Sequence, residues 1–75
     1  MQIKIKKSTP VMVHNTTRSG DTEYGPIPAS HATKHIASGV GTIAAWVEIA
    51  PGHDYEGAPV YFVGDDVFAQ IPEEW

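Results

Sequence analysis

The longest patterned stretch of the chain is residues 30–50, which read SHATKHIASGVGTIAAWVEIA. Its larger apolar residues recur at alternating steps of four and three; they are Ile36, Val40, Ile43 and Val47. Such spacing places the side chains on one stripe of an α-helix, so we predict one amphipathic helix over residues 30–50. Ser30 is a suitable N-cap because its hydroxyl can accept a hydrogen bond from a free backbone amide.

Two glycines in the same stretch favour a different interpretation. Gly39 and Gly41 each cost about 1 kcal/mol relative to alanine inside a helix. Gly39 can instead end a short helix that begins at Ser30. Residues 42–49 then alternate as a strand with one apolar face, and that face consists of Ile43, Ala45, Val47 and Ile49.

The N-terminal third of the chain has the alternation of strands. Residues 2–7 place Ile3 and Ile5 on one face and lysines on the other. Residues 11–16 resume the alternation after a break at Pro10, with Val11 and Val13 facing inward. A hairpin of these two strands is the simplest pairing. Residues 17–29 carry Gly and Pro near both ends and predict a loop, with a brief strand over residues 22–24.

The C-terminal third predicts a β-hairpin. Residues 59–63 and 67–71 are apolar runs on either side of Gly64-Asp65-Asp66. A three-residue turn places Phe62 opposite Phe68 and Val60 opposite Gln70. Together the elements predict a single α+β domain over residues 1–75, in which one helix packs on a small antiparallel sheet in a two-layer ββ-α-ββ arrangement.

Length and composition limit how such a chain is stabilised. The chain has 75 residues and no cysteine, so neither a disulfide nor a zinc–thiolate site supports its small core. No apolar run approaches the roughly 20 residues needed to span a bilayer, and residues 1–7 alternate unlike a signal peptide. We therefore expect a cytoplasmic protein that has no membrane partner.

Charge is unevenly distributed along the chain. The net charge is −4; residues 1–37 contain all five basic groups and residues 38–75 contain seven acids and no base. The two halves either neutralise each other inside the fold or leave an acidic surface that attracts a basic partner. Net acidity argues against direct binding to nucleic acid, which requires clustered Lys and Arg.

Candidate chemistry is sparse. His31 and His35 lie four residues apart and would share a helix face, but the HATKH sequence lacks the glutamate base of a metalloprotease. The sequence has no cysteine and no G-x-S-x-G turn for a nucleophile. We therefore predict no enzyme activity, no catalytic residue, no metal site and no cofactor.

The C-terminal run PVYFVGDDVFAQIPEE combines an apolar strand, a Gly-polar turn, a second apolar strand and Ile-Pro-Glu. This order resembles the ending of small phage-encoded anti-CRISPR proteins that act on type I systems. The resemblance covers about a fifth of the chain and carries no catalytic motif. It implies a stoichiometric inhibitor that binds a bacterial immune effector in the cytoplasm of the host.

We therefore predict an interaction protein that occupies a surface of a larger partner, such as a bacterial immune effector with a basic groove. The predicted contact residues are Tyr55, Glu56, Asp65, Asp66, Glu73, Glu74 and Trp75. Aromatic residues dominate binding energy, and the candidate hot spots are Tyr24, Trp46, Tyr55, Tyr61 and Trp75.

Two alternative functions remain open from the sequence. One is an orphan structural or interaction domain. The other is a small-ligand binder, such as an oligomeric nucleotide sponge, that uses backbone amides near the glycines. The residues predicted for that ligand site are Arg18, His31, Lys34, His35, Gly39 and Gly41. A homo-oligomer is compatible with either interpretation.

Overall fold

A computed structural model of the chain describes residues 1–73, and Glu74 and Trp75 lie outside this range. Six strands and one short helix follow one another along it. They are β1 (Gln2–Ile5), β2 (Pro10–Thr17), β3 (Gly20–Pro28), α1 (Ala29–Ala32), β4 (Thr42–Ile49), β5 (Val60–Val63) and β6 (Asp66–Gln70). A turn of 3-10 helix, Thr33–His35, continues α1. In this described part, no helix has the length and apolar character needed to cross a membrane.

The strands form two antiparallel three-stranded sheets, ordered β1-β6-β5 and β3-β2-β4. The coarse α+β class is therefore confirmed, whereas the arrangement of one helix on a single sheet is wrong. The predicted β1–β2 hairpin is also wrong, because β1 pairs with the distant β6 and places Ile3 opposite Ala69. The link between β1 and β2 contacts the start of α1 instead: the Ala29 amide donates to the Thr9 carbonyl and the Ser30 amide to the Lys7 carbonyl.

The long helix over residues 30–50 is wrong, and the alternative of a short helix followed by a strand over residues 42–49 is confirmed. The helical segment ends at His35, however, so Gly39 does not end it as that alternative expected. Residues 42–49 form β4, which pairs with β2 along its length. Gly39 and Gly41 both have positive φ, +92° and +94°, which interrupts a helix. The helix stripe is lost accordingly, since Val40 is fully exposed. Ser30 is not the N-cap, because Pro28 precedes the helix and provides no side-chain cap.

The predicted loop over residues 17–29 is largely strand β3, nine residues long and paired with β2. All but one of its residues are exposed, and its sequence has little apolar alternation, so no hydrophobic pattern marks it. Pairing with β2 creates this strand. The register shifts near Met12, where Gly25 packs directly against the Val11 carbonyl.

The C-terminal hairpin is confirmed with a corrected register. Its turn is the two residues Gly64 and Asp65, because Asp66 already pairs with Val63. Phe62 consequently lies opposite Val67, not Phe68, and Val60 lies opposite Ala69, not Gln70.

The core lies between the two sheets. Val11 and Val13 of β2 are completely buried, as predicted, and Val47 and Ile49 of β4 lie beside them. The facing sheet contributes Val60, Val67 and Ala69, and Ile71 follows β6. Alanines 29, 32, 50 and 58 are also buried.

One polar side chain is buried in this core among the described residues. Asn15 of β2 is 3% exposed. Its Nδ2 donates to the His35 carbonyl at 2.8 Å, and its Oδ1 accepts from the Ala37 amide at 2.9 Å. A single amide thus satisfies two backbone groups of the segment that leads from α1 to β4. This segment carries no regular secondary structure after His35, so Asn15 fixes its position.

We expect Asn15→Ala to lower the free energy of unfolding by about 2–3 kcal/mol, because two partly buried backbone groups lose their partners. Denaturant unfolding followed by circular dichroism measures the change. Ser19→Ala, on an exposed turn of the same β2–β3 hairpin, is the matched control and should stay within about 0.5 kcal/mol of wild type. Equal stability of the two variants would contradict the role of Asn15.

A second pair of variants tests the close approach at Gly25. Gly20 and Gly25 have similar φ values, +126° and +133°, but a Cβ at Gly25 would lie 2.6 Å from the Val11 carbonyl oxygen, whereas one at Gly20 meets nothing within 4 Å. We expect Gly25→Ala to be less stable than Gly20→Ala by at least about 1 kcal/mol, since overpacking adds to a similar backbone cost. Thermal unfolding of both variants measures the difference, and equal melting temperatures would contradict it.

Candidate functional site

A largely apolar concave surface lies between β4 and β5, the neighbouring edge strands of the two sheets. We call it the β4–β5 seam, an open cavity of about 510 Å³. Its floor is formed by Ile36, Val47, Val60 and Phe62, and its rim by Trp46, Glu48 and Tyr61. This volume is within the range of ligand sites, and its largely apolar lining is typical of a surface that binds another molecule.

The seam exists because the two strands separate. An isolated bridge joins Glu48 to Pro59, and within the described residues no further ladder connects β4 with β5. Beyond the bridge the strands diverge and leave the edge of each sheet open to the solvent. The loop after β4 closes one end of the seam, where the Gly57 amide donates to the Ile49 carbonyl and the Ile49 amide donates to the Ala58 carbonyl.

Two aromatic side chains stand half-exposed on the rim. Trp46 is 48% exposed and Tyr61 is 47% exposed. They belong to different sheets and both line the seam. Large amphipathic rings that remain exposed at the edge of an apolar groove are the residues that most often carry binding energy. Both residues are among the hot-spot candidates predicted from the sequence. The sequence alone did not show that they lie on one surface.

The ring of Trp46 packs against a neighbouring side chain on the outer face of its own sheet. His14 lies directly opposite on β2, and the two rings stack with centroids 5.1 Å apart and planes 13° from parallel. The imidazole is fixed in turn by two glutamates, with Nε2 2.8 Å from Glu48 Oε1 and Nδ1 3.4 Å from Glu23 Oε2. When His14 is protonated, both contacts become ion pairs. No sequence motif marks this cluster, which β-pairing assembles.

The predicted acidic contact residues do not form one surface. Tyr55 and Glu56 lie in the loop that closes the seam, and the Glu56 carboxylate accepts from the Gly52 amide at 3.3 Å. Asp65 and Asp66 lie at the opposite end of the hairpin, beside α1 and Lys7. Asp66 is also paired with Lys4 at 3.2 Å, so part of its charge is neutralised. Glu73 is exposed after β6, and Glu74 and Trp75 lie outside the described residues.

Two of the residues predicted for a small-ligand site, Arg18 and Gly41, line one small pocket, and the other four do not line it. Arg18 lies beside Gly41, whose carbonyl accepts the Arg18 amide at 2.9 Å. His35 instead stacks on Tyr24 with centroids 4.9 Å apart, and His31 and Lys34 are exposed on the helical segment. Gly39 accepts through its carbonyl from the Thr42 amide.

Residues 1–73 contain no group of three or more His, Asp or Glu side chains placed to hold a metal ion. No protein-family model, no curated protein and no solved structure matches the chain, so comparison with known proteins shows neither a family nor a function. The geometry of the β4–β5 seam is therefore the basis for the function proposed below.

We expect His14→Ala to loosen the Trp46 ring by removing the imidazole stacked on one of its faces. The stack should contribute about 0.5–1.5 kcal/mol to stability. Acrylamide quenching of tryptophan fluorescence, in a Trp75→Phe background that leaves Trp46 as the single indole, should become more efficient. Thr16→Ala, on the same face of β2, should leave quenching unchanged. Identical quenching in the His14 variant would show that the stack does not shield the indole.

Proposed function

We propose that this chain is a small non-enzymatic interaction protein that binds a larger protein stoichiometrically through the β4–β5 seam and the acidic loop at its end. The observation that carries this proposal is the pair of half-exposed aromatics, Trp46 and Tyr61, on the rim of an apolar groove. In a monomer, an exposed apolar patch edged by polar groups typically marks an interaction site.

The charges around the seam support a basic partner. Glu48 lies on the rim, and Asp54 and Glu56 are exposed in the adjoining loop. No lysine or arginine occurs after residue 37, and the imidazole of His14, from β2, contacts the Glu48 carboxylate at 2.8 Å. An acidic rim of this kind increases the rate of encounter with a basic surface and orients it before the apolar contacts form.

The wider function that fits such a surface is inhibition of a larger protein by occupancy. The likeness of residues 59–74 to anti-CRISPR proteins makes a bacterial immune effector our proposed partner class, with a basic groove as the complementary surface. The nucleotide-sponge alternative receives less support, because Arg18 and Gly41 share a pocket that His31, Lys34, His35 and Gly39 do not line.

The first test is an interference assay in a bacterium with an active type I CRISPR system. Expression of the wild-type chain should restore plating of a targeted phage. The Trp46→Ala/Tyr61→Ala double variant should restore it poorly, since each hot-spot residue contributes about 2 kcal/mol to binding, or roughly 30-fold in affinity. Val40→Ser removes an exposed apolar side chain outside the seam and should behave as wild type.

Affinity purification of the same tagged variants from the same cells separates the two parts of the proposal. A partner that co-purifies stoichiometrically with wild type and Val40→Ser, but not with the double variant, supports binding through the seam. If the wild-type chain captures a partner stoichiometrically but does not restore phage plating, the immune-effector partner is rejected and binding through the seam is not. Equal capture by all three variants would reject the seam as the binding surface.

A further inference from the structure

We propose that the β4–β5 seam receives an extended segment of the partner, which adds as a new strand to the free edge of β4 and alternates apolar with basic side chains. This inference rests on the proposed protein-binding function and specifies the mode of recognition. Strand addition to an exposed sheet edge is a recurrent mode of peptide binding, in which backbone hydrogen bonds supply affinity and alternate side-chain pockets supply specificity.

The hydrogen bonds of β4 show which of its backbone groups face the seam. The Ala50 amide donates to the Pro10 carbonyl, toward β2. Ile49 points the other way, since its amide donates to Ala58 and its carbonyl accepts from Gly57. Backbone groups alternate in direction along an antiparallel strand, so Ala45, four residues before Ile49, also directs its N–H and C=O away from β2. Ala45 therefore offers both a donor and an acceptor to an added strand.

The edge of β4 is also the least protected of the four sheet edges. The β1 edge carries Lys4, the β3 edge carries two acids and two prolines, and β5 is only four residues long. Charges, prolines and short strands protect natural sheet edges from pairing with another chain. Residues 42–46 of β4, by contrast, read TIAAW and contain no charge and no proline. Ile43, 67% exposed at the open end, extends the apolar character of this edge beyond the seam.

The surroundings of this edge define the chemistry of the added strand. Side chains of a strand alternate between two faces, so one set of the ligand's side chains would face the apolar floor formed by Val47, Val60 and Phe62. The other set would lie beside the carboxylate of Glu48 and the rings of Trp46 and Tyr61. A lysine or arginine there meets both an opposite charge and an aromatic face. Apolar residues alternating with basic ones satisfy both sides.

The test uses a seven-residue peptide of alternating lysine and valine, acetylated and amidated at its ends, added to the full chain. We expect the Ala45 amide to gain protection from hydrogen exchange on binding, as observed by NMR. A peptide with glutamate in place of lysine, and one with N-methylated valines that cannot donate, should each bind at least about tenfold more weakly, the effect of losing charge complementarity or one or two backbone bonds.

A variant of the protein tests the backbone hydrogen bond that the Ala45 amide would donate to the peptide. Ala45→Pro removes an amide that faces away from β2, so it should leave the β2–β4 ladder and the fold intact, which circular dichroism checks. We expect it to weaken binding of the lysine–valine peptide by at least about tenfold, as expected for the loss of a backbone hydrogen bond at the edge. Val40→Ser should bind the peptide as wild type does.

Three results would overturn the inference. One is no binding of the lysine–valine peptide, or equal binding of its N-methylated form. Another is partner capture by Ala45→Pro at the wild-type level while the Trp46→Ala/Tyr61→Ala variant loses the partner, which would leave the proposed function intact and reject strand addition. The third is a wild-type dimer by light scattering that Ala45→Pro dissociates, because a second copy would then cover the edge of β4.

Discussion

The amide of Asn15 is the contact on which the rest of this structure depends. It lies on the inward face of β2 and binds the His35 carbonyl and the Ala37 amide, so it substitutes for the secondary structure that the connecting segment lacks. The segment delivers the chain from α1 to the start of β4 and places Ile36 in the floor of the β4–β5 seam. Loss of this contact would therefore disturb both the closure of the core and the shape of the candidate site.

The seam is a consequence of unequal strands in a small chain. β4 has eight residues and pairs with β2 along its length, whereas β5 has four and belongs to the other sheet. Within the described residues, the strand pairing between them is limited to an isolated bridge of Glu48 with Pro59, the residue before β5. A domain of 75 residues has few side chains with which to close such an opening. The result is an apolar groove bordered by an unpaired backbone edge, which suits a protein partner better than a small polar ligand.

The His14 cluster connects the outer face of the sheet with this groove. The imidazole contacts carboxylates from β3 and β4 and stacks on Trp46, so three strands contribute to the position of one exposed ring. A ring held in this way loses little conformational entropy on binding, which makes it an effective anchor. The two oppositely charged parts of the sequence are joined by one lysine–carboxylate pair within residues 1–73, Lys4 with Asp66. Near the seam, Glu48 contacts the His14 imidazole, and Asp54 and Glu56 are exposed.

Alternation of apolar and polar residues is enough to predict the strands that become β1, β2, β5 and β6, and the buried positions Val11 and Val13. It could not decide between helix and strand for residues 42–49, because Ile43 and Val47 are four residues apart and fit both periods. Pairing with β2 decided it. Pairing with β2 also made β3 a strand, although β3 has no apolar pattern. Long-range pairing likewise joined β1, near the start of the chain, to β6, near its end. The site was hidden for this reason, since Trp46, Tyr61 and Ala45 meet at one groove only when two separate sheets are placed edge to edge.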